Sequence, residues 1–155
     1  MAGAPRAPAA VVAALAAALA VAACSGGTPS PASQARATVE RFYSDLERGR
    51  GAAACSLLTT AAQEAVARPL LAFAKEHKLG CERVLGSYSR AMAHNPADLR
   101  EMKATTFGSV SVIGGRAMVV VGVPHVGLRA APLTHTRDGW RISQFSVSTR
   151  KPISG

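Results

Sequence analysis

The hydrophobic period of the chain changes after Lys103, and this change constrains the fold more than any other feature. Before Lys103, apolar residues recur at three- and four-residue spacing, which is typical of amphipathic helices. After it, Val110 and Val112 alternate with serines, and a run of valines follows Gly114-Gly115, which is typical of strands. We therefore predict an α+β fold with the helices first and a four-stranded antiparallel sheet after them.

Two hairpins are predicted within the sheet. Gly114-Gly115 forms the turn of the first hairpin, and Asp138-Gly139 forms the turn of the second. The segment Met118 to Val123 is apolar on both faces, which predicts a strand that is covered on both sides. The facing residues predicted for the second hairpin are Leu133 and His135 on one strand, and Trp140 and Ile142 on the other.

The first helix is predicted from Ala35 to a stop at Gly49, with Asp45 lying off its apolar face. Phe42 and Tyr43 are interpreted as core anchors, and a Tyr43 hydroxyl at a pocket rim is the alternative. The remaining helix signals are a capping box at Thr60 to Gln63, a kink or restart at Pro69, and a cap at Asn95 followed by Pro96.

The apolar run from Ala7 to Ala23 has the layout of a secretory signal and is short for a membrane span. It ends in Val21-Ala22-Ala23-Cys24, which resembles the bacterial lipobox, in which the cysteine is lipidated and becomes the first residue of the mature chain. We therefore expect Cys24 to hold the protein on the outer face of the cell membrane through its acyl chains. The alternative is an ordinary secretory signal that leaves Cys24 as a free thiol.

The predicted organisation has four parts. Residues 1–23 form the signal, 24–33 the lipidated cysteine with a flexible Ser- and Pro-rich tether, 34–149 one folded domain, and 150–155 a tail.

With Cys24 acylated, Cys55 and Cys81 remain as an even pair in an exported protein, which predicts a disulfide. Closing a loop of this length stabilises a domain by about 3.5 kcal/mol in the chain-entropy model. The competing interpretation takes both cysteines and His77 as metal ligands, although a fourth ligand and any CxxC spacing are missing.

The net charge of +9 falls by one when the signal, with Arg6, is removed. The export signal and the scattered single arginines argue against nucleic acid as a partner. Attraction to anionic lipid head groups or cell-wall polymers is the plainer consequence.

Three features together resemble the NTF2-like, cystatin-like α+β domains of small actinobacterial lipoproteins. They are "VERFYSDLERGRGAAACSLLT", Cys81 as a second cysteine, and "THTRDGWRI" before the last strand. The resemblance implies helices packed on a curved sheet to form a cone, a pairing of the two cysteines, and a function ranging from isomerase or cyclase to plain binding or dimerisation.

The predicted interior of the cone defines the candidate site. The enzymes of this fold use an inward-facing Asp, Glu or His as a base, and His135 is the residue on the strands that could take this role. A polar residue at the sheet rim is the ordinary interpretation of such a histidine, so no catalytic residue, metal ligand or cofactor is predicted. Trp140 is interpreted as a core plug, with ligand stacking as the alternative. The residues expected to line a pocket are Phe42, Tyr43, Leu70, Val112, Val121, His135 and Trp140.

The sequence thus predicts a membrane-anchored, non-catalytic domain that binds an apolar small molecule or a partner protein of the cell envelope. An enzyme that uses His135 and an accessory dimerisation domain are the alternatives. A dimerisation domain, or homodimer, predicts a cone filled by its own side chains and an apolar patch on the outer face of the sheet.

Overall fold

The computed structural model describes residues 28–71 and 80–145, and of residues 69–71 it describes the backbone alone. In this part of the chain, five helices precede four strands, which confirms the α+β class. The strands form one antiparallel sheet in the order β1-β2-β3-β4. The helices are α1 (Pro31–Glu47), α2 (Gly51–Ser56), α3 (Thr60–Leu71), α4 (Cys81–His94) and α5 (Pro96–Lys103). The strands are β1 (Thr106–Ile113), β2 (Arg116–Val123), β3 (Gly127–Thr136) and β4 (Gly139–Ile142).

The first helix begins at Pro31, inside the segment that was predicted to be a tether. The Ser30 hydroxyl accepts a hydrogen bond from Ser33 N at 3.2 Å, and Pro31 occupies the first turn, where its missing N–H costs nothing. The helix ends at Glu47, and the predicted stop residue, Gly49, follows it with a φ of +72°, a left-handed conformation that favours glycine.

The cap of α3 is Thr59, one residue before the predicted Thr60. Thr59 Oγ1 accepts from Ala62 N at 3.3 Å, while Gln63 Nε2 donates to the carbonyls of Cys55 and Leu58 instead of closing a capping box. The position is set by the sheet, because Thr59 N donates to the carbonyl of Ile142 at 2.9 Å. The backbone of α3 then continues through Pro69 without a restart.

The predicted disulfide is present and joins α2 to α4. Cys55 and Cys81 are bonded, with their Cα atoms 5.9 Å apart. The two helices approach closely, because Gly51 lies against the backbone of Leu85 and Gly86. The oxidised pair leaves no thiolate for a metal, and no cluster of three His, Cys, Asp or Glu side chains suited to a metal occurs within residues 28–71 and 80–145. His77 lies outside the described residues.

Both predicted hairpins are confirmed. Gly114-Gly115 links β1 to β2, and Asp138-Gly139 lies at the turn between β3 and β4. Leu133 pairs with Ile142, and His135 pairs with Trp140, as the sequence predicts.

Helices and strands contribute to one hydrophobic core. Helix α1 contacts β1, β2 and β4. The Tyr43 ring meets the Phe107 ring edge-on at a centroid distance of 5.6 Å, and the Phe42 ring meets that of Phe145 at 4.7 Å. The largest fully buried apolar side chains are Phe42, Leu46, Leu85, Leu133, Ile142, Val39, Val119 and Val121.

Only one face of β2 is covered within the described part of the chain. Ala117, Val119 and Val121 are buried, whereas Met118 is 47% exposed and Val120 is half-buried. The sequence predicted that β2 is covered on both faces. The described residues cover one face only, so they do not account for cover on the other. Among these residues, no helix is both long enough and apolar enough to cross a membrane.

Candidate functional site

The residues predicted to line a pocket lie in and around the core. Phe42, Val121 and Trp140 are buried, and Tyr43 and Val112 are partly buried against them. His135 is exposed, and the side chain of Leu70 lies outside the described part. Two surface pockets of the described part are lined by other side chains.

His135 contacts Trp140 at the end of the second hairpin. Their ring centroids are 5.0 Å apart in an edge-on arrangement. Trp140 is buried, which fits a core plug, and its Nε1 has no hydrogen-bond partner among the described residues. The exposed imidazole of His135 therefore lies at the rim of the sheet and packs edge-on with the Trp140 ring.

The other described histidines are also at the surface. His125 lies in the turn between β2 and β3, with φ of +60° and its Nε2 3.9 Å from Glu101 Oε1. His94 is the last residue of α4 and is exposed. His125 therefore lies in a loop and His94 at the end of a helix.

Two tyrosines are packed against the core. Burial raises the pKa of Tyr43, and the neighbouring Tyr88 raises it further. Burial also raises the pKa of Tyr88, with a smaller contribution from the Asp98 carboxylate. Both phenols therefore stay neutral over a wider pH range than a free tyrosine and are poor candidates for a base near neutral pH.

Asp45 was placed off the apolar face of the first helix, and this prediction is wrong. Its side chain is buried, with 1% of the residue exposed. The chain turns back after Gly49 and brings Arg50 Nη2 to 2.5 Å from Asp45 Oδ1, and Arg41 Nε lies 3.9 Å from Oδ2. The pairing with Arg50 depends on this turn, so helical periodicity alone carries no signal for it.

The outer face of the sheet carries an apolar surface, which we call the outer patch: Met118, Val120, Ala130 and Pro132. It is opposite the face that supplies Val119 to the core, because side chains alternate along a strand. Met118 pairs with Pro132, and Val120 pairs with Ala130.

Arginines border the outer patch. Arg116 is exposed beside Met118, and Arg141 of β4 is half-buried and pairs with Thr134. The four described strands contain Arg116, Arg129 and Arg141 and no carboxylate. The patch is therefore an apolar surface with a positive rim.

A surface pocket of about 360 Å³ opens at one end of the outer patch. Its lining includes Arg116, Met118, Pro132, Thr134, Ser143 and Gln144. The size suits a side chain or a small polar group of a partner, and the lining offers both apolar contact and hydrogen-bond donors.

Pro132 explains why β4 stops at this pocket. The Pro132 carbonyl accepts from Ser143 N at 2.8 Å and from Ser143 Oγ at 3.1 Å. In an antiparallel strand the N–H and carbonyl of one residue point to the same side, so the donor missing from Pro132 faces β4. The ladder ends there, which leaves Ser143 and Gln144 at the pocket.

The second pocket has a volume of about 490 Å³ and lies beside the disulfide. It is lined by Cys55, Gln63, Cys81, Glu82 and Arg83, among others. The pocket also includes Gly80, which directly follows residues 72–79 outside the description. Its sulfur atoms are already bonded to each other, so they are unavailable as nucleophiles or ligands.

No protein-family model, curated protein sequence or solved structure matches the chain. The function is therefore inferred from the residues of this chain alone.

Proposed function

We propose that the protein is a lipoprotein anchored through Cys24 to the outer face of the cell membrane, where its α+β domain binds a partner protein without catalysis. The anchor is supported by the lipobox-like Val21 to Cys24 at the end of the apolar run, a segment that lies outside the described residues. The binding function is supported by the exposed outer patch on a sheet whose other face is packed into the core.

The proposed fold of this domain is the NTF2-like cone. Contacts of α1 with β1, β2 and β4, and the ring contact of Tyr43 with Phe107, are consistent with helices that cover one face of a sheet. In such a cone the buried rings of Phe42 and Trp140 occupy the space that a ligand would use.

One observation favours a protein partner over an apolar small molecule: the inner face of the sheet is filled, whereas none of residues 28–71 and 80–145 covers the outer patch. Met118 is 47% exposed and Ala130 is exposed. Val119, the next residue after Met118 in β2, is fully buried on the opposite face. Exposed apolar surface with a polar rim is typical of protein-binding sites.

The charge of the rim indicates the chemistry of the partner. Arg116 and Arg141 border the patch, and no carboxylate lies on the described strands. A partner with an apolar centre and Asp or Glu at its edge would complement this face. A second copy of the chain would bring the same arginines to the contact, so we favour a different protein.

The anchor is tested by metabolic labelling of the full chain with an alkyne analogue of palmitate. The wild-type protein is expected to incorporate the label and to remain with membranes, and Cys24→Ser is expected to lose both properties. Equal labelling of the variant would contradict the anchor.

The binding surface is tested by photo-crosslinking in cells, with a benzophenone amino acid at Met118 and a control at Ala61, which is exposed on α3. A crosslink to one envelope protein is expected from position 118 alone. Binding of that purified protein should weaken at least tenfold in Met118→Asp and should fall with added salt, whereas Ala61→Asp should bind as wild type.

Other results would change the assignment. A crosslink between two copies of the chain would indicate self-association. A reproducible small-mass adduct of the uncrosslinked protein in native mass spectrometry would favour the small-molecule alternative.

A further inference from the structure

The turn between β2 and β3 exposes large apolar side chains at the end of the sheet. Leu128 is 77% exposed and Val126 is 41% exposed, with Gly127 between them at φ of +87°. We call Val126 and Leu128 the apolar tip. Of the four strongly exposed large hydrophobic residues in the described part, two therefore lie within three positions of one turn.

Basic groups flank the apolar tip. Arg129 follows it and is exposed, and His125 precedes it. The nearest acid with a described contact is Glu101, whose Oε1 lies 3.9 Å from His125 Nε2. Asp138, the acid nearest to the strands in sequence, lies in the turn at the other end of β3. Exposed aliphatic groups beside a cation are the combination that a bilayer interface with anionic head groups accepts.

The apolar tip lies near the start of α1. Arg36 Nη1 is 3.5 Å from the carbonyl of Gly108, so the early turns of α1 lie against the first half of β1. In the same half, Thr106 pairs with Gly122, which pairs with Leu128. Two strand spacings separate Thr106 from Leu128, a distance of about 10 Å.

The chain that precedes α1 keeps the start of the helix close to the membrane. From Cys24 to Pro31 the backbone spans at most about 25 Å when fully extended. Both ends of the sheet are within that reach, but the apolar tip is at the end of the sheet where Arg36 of α1 contacts Gly108. Ile113 is equally exposed at 81%, but it lies at the far end of β1, roughly 17 Å along the strand from Gly108.

We infer that the apolar tip inserts into the interface of an anionic lipid bilayer, with Arg129 contacting lipid phosphates. This orients the domain so that the turn between β2 and β3 faces the membrane. The inference rests on the proposed anchor. Leu128 pairs with Gly122 and therefore lies on the same face of the sheet as the outer patch, at the end of that face beside the turn.

The test places a tryptophan at the tip and, as a matched control, at the far end of the sheet. Leu128→Trp and Ile113→Trp are introduced separately into the full chain. Each variant protein is purified with its native N-terminus and reconstituted into phosphatidylglycerol vesicles, with and without brominated acyl chains. The native Trp140 is buried and gives the same background in both variants.

We expect brominated lipid to quench the added emission of Leu128→Trp at least twofold and to leave that of Ile113→Trp unchanged. Adding Arg129→Glu should reduce the quenching, and purely zwitterionic vesicles should reduce it as well. Equal quenching of the two variants, or none in Leu128→Trp, would overturn the inference. Far-UV circular dichroism confirms that both variants are folded.

Failure of the anchor is measured separately. The mass of the N-terminal peptide shows whether Cys24 carries lipid, and flotation of the wild-type protein shows whether it is anchored. A lipidated protein that floats without quenching at position 128 overturns the role of the tip and leaves the anchor intact. A protein without lipid refutes the anchor, and vesicles in excess still report whether the tip binds.

Discussion

Asp45 combines a charge with almost complete burial, and it does so near the C-terminal end of α1, where the helix dipole disfavours a carboxylate. Arg50 compensates for this cost through its contact with Asp45 Oδ1, and Arg50 N also donates to the Asp45 carbonyl at 2.7 Å. Through these two contacts with Arg50, Asp45 fixes the path of the chain from α1 into α2.

We predict that Arg50→Ala lowers the free energy of unfolding by about 1–3 kcal/mol, because it removes the close partner of a buried carboxylate. The lower half of this range is favoured because the Arg50 side chain is half exposed. Arg41→Ala is the matched control, since Arg41 is mostly exposed and 3.9 Å from Oδ2, and should cost less than about 0.5 kcal/mol. Urea denaturation measures both, and equal losses would contradict the role of Arg50.

The two tyrosines of the chain predict a loss of stability at alkaline pH. In the unfolded chain both ionise near pH 10, whereas burial raises the pKa of each in the folded protein. The folded state then binds more protons, so the stabilisation is complete below about pH 10 and is lost as pH rises through the raised pKa values.

Urea midpoints between about pH 9 and 11 should therefore fall with pH, and Tyr43→Phe should make that fall less steep. The phenylalanine keeps the ring contact with Phe107 and removes the titrating group. Titration of the tyrosinate absorbance in this variant reports Tyr88 alone. A Tyr88 pKa equal to that of a free tyrosine, or the same slope of stability with pH in Tyr43→Phe and wild type, would refute the prediction.

At the scale of elements, α2 and α4 approach each other closely at Gly51. A Cβ on Gly51 would overlap the backbone of Leu85 and Gly86, which cannot swing aside as a side chain can. The same two helices are joined by the disulfide of Cys55 and Cys81, so they have little freedom to separate.

Gly51→Ala is therefore expected to lower the free energy of unfolding by about 1–3 kcal/mol. Gly86→Ala is the control from the same helix contact, because its Cβ would meet Arg90 Nη1 at an ordinary 3.6 Å. Alanine in the helix interior should stabilise the protein by up to about 1 kcal/mol. A Gly51→Ala protein as stable as the wild type would show that the contact is looser than described.

The elements that could be predicted from the sequence are those with local signals. Gly114-Gly115 and Asp138-Gly139 specify their turns through backbone conformation, and Asn95 with Pro96 specifies the start of α5. Thr59 was missed as the cap of α3 because its register depends on Ile142, far along the chain. The start of α1 did have a local signal, a serine cap followed by proline, which the Ser- and Pro-rich composition obscured.

At the scale of the whole molecule, the sequence predicted a sheet and a set of apolar residues but not which face of the sheet stays open. Met118 and Val119 are adjacent in the sequence and both are apolar. Only the packing of the helices decides that Val119 is buried and Met118 exposed. The sequence therefore predicted that an apolar patch could lie on the outer face of the sheet. The strand register in the structure identified which residues form it.

A shared core predicts that helices and sheet unfold together. The buried cluster contains Val39 and Leu85 from helices and Val119 and Ile142 from strands, so neither layer keeps its apolar cover without the other. Far-UV circular dichroism follows the helices, and the fluorescence of Trp140, the single tryptophan, follows the sheet. With the disulfide intact, both signals should give the same urea midpoint and the same m-value. A tryptophan transition that precedes the loss of helix would show that the sheet is stabilised independently of α1, and it would remove the main support for the proposed cone.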